Sequence, residues 1–125
     1  MTNDEIDIAR VVCRLDELNA AGCRGFTLGE GDWPLRGFVL RVGKEVRAYQ
    51  NWCPHAGHPL NVKPHQFLTP DGALIICASH GALFERNGGI CIAGPCTGRS
   101  LKPLPVQIVG GYVLLDPGVA LSWPV

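Results

Sequence analysis

The stretch from Cys53 to His80 constrains this chain most. It opens with Cys53-Pro54-His55 and closes with Cys77-Ala78-Ser79-His80. Each Cys is followed within three residues by a His, and a small residue and a glycine follow each His (Ala56-Gly57, Gly81-Ala82). Thiolate and imidazole are both good ligands for a transition metal. Two short loops of this kind, pointing at one another, would make a single four-ligand site. The fold must therefore bring together two segments separated by the 21 residues from 56 to 76.

The paired motif resembles that of the Rieske [2Fe–2S] proteins, above all the small soluble Rieske ferredoxins. The resemblance covers about residues 11–116. It includes Gly81 after the last His, Phe84 a little beyond, Gly88-Gly89 closing that loop, and Gly94-Pro95 where the family places a proline loop over its cluster. By this resemblance Cys53 and Cys77 hold one iron, and His55 and His80 hold the other, with one [2Fe–2S] cluster per chain. It also implies an all-β, mostly antiparallel fold. A base formed by about 11–50 and 99–116 would carry an inserted cluster-binding subdomain at about 51–98, with tails at 1–10 and 117–125, all within one domain, 1–125.

Charge explains a mixed ligand set. Two ferric ions, two sulfides and two thiolates sum to zero, and neutral imidazoles add nothing. An electron enters a neutral centre more easily than the dianion that four Cys would give. Rieske potentials accordingly lie at roughly −150 to +300 mV, against about −400 mV for plant-type centres. The electron is expected on the His-bound iron, which makes His55 and His80 the exit edge. High-potential members carry Ser and Tyr hydroxyls where this chain has Ala82 and Phe84, and a disulfide between the loops at the positions of His58 and Ser79. Without hydroxyl donors to the sulfurs, the expected potential is about −150 to 0 mV.

A Cys2His2 set also suits structural zinc. Zinc sites, however, usually pair Cys with Cys and His with His at short spacing, whereas each pair here is mixed. Lys+Arg and Asp+Glu number 11 each, so the net charge is zero and nothing points to nucleic acid. No apolar run is long enough to cross a membrane. The opening Met1-Thr2-Asn3-Asp4-Glu5 lacks the features of a signal peptide, so the expected compartment is the cytoplasm.

In a reducing compartment six Cys favour metal binding over disulfides. Cys13 and Cys23 read as buried, inert thiols. Cys91 and Cys96 flank Gly94-Pro95 and read first as packing residues, with a redox-sensitive pair as the alternative. His58 and His65 fall outside ligand register. Trp33 and Trp52 read as core or loop-packing residues, with shielding of the cluster from water as the alternative for Trp52.

Along the chain, strands are expected at Val11–Leu15 and Phe26–Leu28, with a short helical turn over Asp16–Gly22 between them. Alternating residues around Gly43-Lys44 predict a hairpin running into Cys53. Leu60–Gly72 is a turn-rich excursion with Phe67 plugging a small core. Ala73–Ile76 leads into Cys77, and Ala82–Glu85 and Ile90–Ile92 flank the turn at Asn87-Gly88-Gly89. A last hairpin joins Val106–Val109 to Tyr112–Leu115 through Gly110-Gly111. Trp123 is expected to pack back on the base.

No triad for a mononuclear iron and no dinucleotide-binding glycine motif is present. The reading is therefore a one-electron carrier with no catalytic residues of its own, a ferredoxin-like component of a multicomponent oxygenase. It would take electrons from a flavin-dependent reductase and pass them to a terminal oxygenase, with a monomer favoured. The alternatives are a small Rieske subunit of a larger, nitrite reductase-like oxidoreductase, and a redox- or metal-sensing interaction module.

Overall fold

The structure is a computed structural model that describes residues 6–19, 22–54 and 57–122. Among these residues the chain forms three antiparallel sheets and two short 3-10 turns, Ile8–Arg10 and Leu15–Leu18. The expected all-β fold is observed. Trp123 lies outside the described residues, so its expected packing is not described.

The first sheet joins β1 (Val11–Arg14), β10 (Tyr112–Leu115) and β9 (Val106–Val109), with β10 in the middle. The second has the order β2 (Cys23–Leu28), β3 (Leu35–Val42), β4 (Glu45–Gln50) and β8 (Pro103–Leu104). The third is small, with β5 (Ile75–Ile76), β6 (Leu83–Phe84) and β7 (Cys91–Ala93). β2 is longer than its expected Phe26–Leu28, and β3 begins at Leu35. Both lengthen because the two strands pair along their full length, from Cys23 opposite Leu40 to Leu28 opposite Leu35.

Both glycine-led hairpins form as their turn chemistry requires. Val42 pairs with Glu45 across Gly43-Lys44, and Gly43 has φ +63° at the first turn position. A glycine there supplies the positive φ of a type II′ turn. Gly110 and Gly111 both have positive φ, +57° and +84°, as a type I′ turn demands between Val109 and Tyr112.

β3 is buried on both faces. Leu35 and Val39 join the base core with Val12, Leu18, Ala48, Val113 and Leu115. Phe38 and Leu40 point the other way, into a second core with Tyr49, Phe67, Phe84 and Leu101. The sequence showed Phe38, Leu40 and Val42 alternating with Val39 and Arg41, which suggests one apolar face; in the structure the β1–β10–β9 layer covers one side and the 60–101 region the other. The rule that successive side chains point to opposite faces holds, but both faces meet protein.

The second core builds the platform for the metal-binding end. Phe67 stacks on Phe38 with ring centroids 4.3 Å apart, so the excursion does plug a core. Gly25 lets that ring approach β2, since a Cβ there would stand 3.1 Å from it. The buried Tyr49 hydroxyl donates to Arg86 O at 2.7 Å and accepts from Gly88 N at 2.8 Å. It thereby fixes the turn between β6 and β7. Arg86 Nη1 donates to Gly72 O at 3.0 Å, and its Nη2 to Arg41 O, which ties the excursion to β3.

Candidate metal centre

The two Cys loops are closed by the same backbone pattern. β4 ends at Gln50, and three residues later Cys53 N donates to His58 O at 2.8 Å while Gly57 N donates to Cys53 O at 2.9 Å. β5 ends at Ile76, and Cys77 N donates to Ala82 O at 2.9 Å while Gly81 N donates to Cys77 O at 2.9 Å. Each loop is therefore a tight turn with a glycine four residues after the Cys. Gly57 and Gly81 have φ +66° and +73°, which L side chains rarely adopt. The shared Cys-x-x-x-Gly spacing was visible in the sequence as a second repeat beneath the unequal Cys–His spacings.

Further bonds hold the loops against one another. Ala78 N donates to Leu60 O at 2.8 Å. His58 Nε2 lies 3.1 Å from Ser79 Oγ, and Ser79 Oγ lies 2.8 Å from His80 Nδ1. Asn51 Oδ1 accepts from Leu60 N at 2.9 Å, and Asn51 Nδ2 donates to Asn61 Oδ1 at 2.9 Å. From the loop after β7, Arg99 Nη1 donates to Pro54 O at 3.2 Å. Gly94 backs directly onto the second loop; a Cβ there would come within 2.9 Å of Ala82 Cα. The Gly94-Pro95 segment thus lies against the Cys77 loop.

Cys53 and Cys77 are fully buried, and both belong to the second core. Burial pushes the Cys77 thiol up, and the neighbouring Cys53 adds to the effect. The backbone N–H groups of Ser79 and His80 act in the opposite sense. A thiolate there costs free energy until a cation neutralises it, and N–H donors to the sulfur are what such a ligand uses when bound. His80 is exposed at the loop end, with its ring at the surface. His55 lies outside the described residues. Among the described residues no three potential metal ligands converge, so Cys53, Cys77 and His80 do not by themselves form a ligand set. Two soft thiols buried in one apolar core, each carried on a tight glycine turn, fit an iron–sulfur cofactor.

Other sequence readings resolve here. Cys13 and Cys23 are buried, as expected. His65 is an organiser that sequence reasoning missed. It holds φ +63°, its Nδ1 accepts from Gly25 N at 3.1 Å, and its carbonyl accepts from the Cys23 thiol at 3.3 Å. Its signal lay only in the three-dimensional meeting of the excursion with β2. Neither Trp lies in a core, so only the loop-packing half of the expectation stands: Trp33 is 67% exposed and Trp52 is 38% exposed. Both line a groove of about 160 Å³ with Pro34, Arg36, Asn51 and Pro59, beside the first Cys loop. They pack along an open surface because Trp33 sits in the bend that leads into β3, and neither Trp belongs to either core.

The profile of the Rieske [2Fe-2S] domain matches residues 9–110, most of the chain, and the chain belongs to that family. Its cofactor is the family's [2Fe–2S] cluster and its work is electron transfer. Among curated proteins none matches in sequence. Among solved structures, the ferredoxin of carbazole 1,9a-dioxygenase from Nocardioides aromaticivorans IC177 is similar, with TM-score 0.65 and 26% identity over 86% of this chain and 95% of that one. The Sphingomonas yanoikuyae B1 ferredoxin has TM-score 0.60 and 26% identity, over 86% and 95% of the two chains. The plasma membrane Rieske protein PetC3 from Synechocystis PCC 6803 has TM-score 0.63 and 25% identity, over 85% and 97%. No described helix is long and apolar enough to cross a membrane.

Proposed function

We propose that this chain is a Rieske-type ferredoxin that passes single electrons from a flavin-dependent reductase to a terminal oxygenase. Cys53 and Cys77 bind one iron of the cluster, and His55 and His80 bind the other. The observation that carries the assignment is the pair of matching turns, each presenting a Cys from a strand end, with the thiols buried together and His80 at the surface. The role is supported by likeness to a dioxygenase ferredoxin along 95% of that protein's length.

The cluster, when bound, takes up and gives back one electron. The chain supplies the rest. Cys53 and Cys77 bring the two negative charges that make the oxidised centre neutral. The N–H groups of Ser79 and His80 partly offset the cost of the buried Cys77 charge. The apolar walls of Leu60, Ala82 and Phe84 keep water from the thiolate side. The exposed His80 makes the short path to a partner, so docking there would be brief and small in area. We read about 51–98 as the cluster-binding unit and about 11–50 with 99–116 as its base, within one domain; the second core joins the two, with Phe38, Leu40 and Tyr49 of the base packed against Phe67, Ile75 and Phe84 of the unit. The cytoplasm and a monomeric carrier complete the reading, both resting on composition and family resemblance.

Electron paramagnetic resonance of the dithionite-reduced protein, with iron and sulfide analysis, tests the centre. A rhombic signal of low average g with two irons per chain is expected. A silent sample containing zinc would overturn it. Rapid mixing of the reduced protein with a Rieske-type dioxygenase then tests the role; reoxidation no faster than in buffer would leave the carrier without the proposed partner class.

A further inference from the structure

Two cysteines that the metal centre does not use lie against each other. Cys91 Sγ and Cys96 Sγ are 2.9 Å apart, with the Cys96 thiol donating to Cys91 and the Cys91 thiol donating to Ala93 O at 3.3 Å. Both are buried, at 1% and 2% exposure. Backbone bonds enforce the juxtaposition independently of the sulfurs. Cys91 N donates to Arg99 O at 2.7 Å, Gly98 N donates to Cys91 O at 3.0 Å, and Arg99 N donates to Cys96 O at 2.9 Å. The segment 94–99 is therefore folded back onto the start of β7, which sets Cys96 beside Cys91.

We propose that Cys91 and Cys96 form a reversible dithiol–disulfide site. A disulfide bond is about 2.05 Å long, so closing it requires the sulfurs to approach by under about 1 Å. Two thiols held in contact act as an intramolecular pair, so the second step of exchange outcompetes a second external thiol. With glutathione disulfide as oxidant the step balances. One Cys thiol loses its proton and attacks a glutathione sulfur, releasing one glutathione. The other Cys thiol loses its proton and attacks the mixed disulfide, releasing the second. Two protein thiols are oxidised to one disulfide, and glutathione disulfide is reduced to two thiols.

Reaction is slow in the resting state, because the thiolate is the reactive form. Burial, with the neighbouring Cys91 next in effect, pushes the Cys96 thiol up to about 12. The pair is thus shielded from casual oxidation and reacts when the 94–99 segment opens. That segment touches both Cys turns, through Gly94 against Ala82 and Arg99 to Pro54 O. The bond itself needs no cluster. Only its consequence rests on the reading of those turns as ligand loops: the disulfide pins the covering segment and slows cluster loss.

The test uses the holoprotein equilibrated in glutathione buffers of graded ratio, with a parallel arm in the small oxidant diamide. Samples are quenched in acid, unfolded, alkylated and digested with trypsin. Arg86 and Arg99 are cleavage sites, so both sulfurs fall in the single peptide 87–99. The expected result is that peptide unlabelled and lighter by two hydrogens, with a midpoint following a two-electron equilibrium and reversed by dithiothreitol. Its mass is independent of whether a [2Fe–2S] spectrum is present, so failure here is distinct from failure of the proposed function. Cluster loss on mild heating is expected to be several-fold slower after oxidation, and unchanged by oxidation in Cys96→Ser. Two alkyl labels on the peptide in the most oxidising buffer and in diamide, or a stable single glutathione adduct, would overturn the proposal.

Discussion

His58 Nε2 lies 3.1 Å from Ser79 Oγ, across the gap between the two Cys turns. His58 is also anchored through its Nδ1, 2.8 Å from Pro59 O, so the imidazole is held at both nitrogens. If Nδ1 carries the proton, it donates to Pro59 O, and Nε2 then accepts from the Ser79 hydroxyl. These are the positions at which the family resemblance places a disulfide in high-potential members. Here a polar contact joins the same two loops.

That contact predicts a measurable loss. His58→Ala and Ser79→Ala should each remove about 1 kcal/mol of loop-to-loop stabilisation. Cluster release on mild heating should accelerate about fivefold in either variant, and the double variant should be no faster than the single ones. Additive acceleration in the double variant would show that the two side chains act separately.

The proposed ligand role of His80 predicts an all-or-none result. His80→Ala should lose the [2Fe–2S] absorption and the reduced-state resonance while keeping the far-ultraviolet dichroism of the β base. A normal optical spectrum in this variant would remove His80 from the ligand set.

The buried Ala82 and Phe84 leave no hydroxyl at the positions that would donate to the cluster sulfurs. The reduction potential is therefore expected at about −150 to 0 mV. Ala82→Ser adds a donor with little added volume. A hydrogen bond preferring the reduced, more negative state by about 1.4 kcal/mol corresponds to about +60 mV for a one-electron couple. A redox titration gives both numbers, and an unchanged or lowered potential in Ala82→Ser would contradict the donor argument.

Cys13 predicts an alkaline dependence of stability. Burial first, then the nearby Glu17 carboxylate, pushes its thiol from 9.0 to about 11, with Arg24 opposing. The folded state keeps a proton that the unfolded chain releases, so this contribution is full below about pH 9 and is lost as pH rises towards 11. With allowance for partial solvent access, about 1 to 2 kcal/mol should disappear across that window. Denaturant titrations of wild type and Cys13→Ala should show a shallower alkaline fall in the variant; parallel curves would mean that Cys13 ionises alike in both states.

Much of this protein was legible in its sequence, for a local reason. The hairpins at Gly43-Lys44 and Gly110-Gly111 and the turns at Gly57 and Gly81 each depend on residues within a few positions of one another, where a glycine supplies a backbone angle other residues resist. The Cys and His spacing lies at the same scale, so it showed the kind of centre before any fold was known. The tertiary structure decided what depends on segments far apart in the chain. It buried both faces of β3, turned Trp33 outward, set His65 against β2 and brought His58 to Ser79. It also pressed Cys96 onto Cys91, which are close in sequence but meet only because Arg99 and Gly98 fold back on β7. A periodic pattern reports which residues are apolar; which of them meet depends on how separate layers pack, and that is settled only when the whole chain closes on itself.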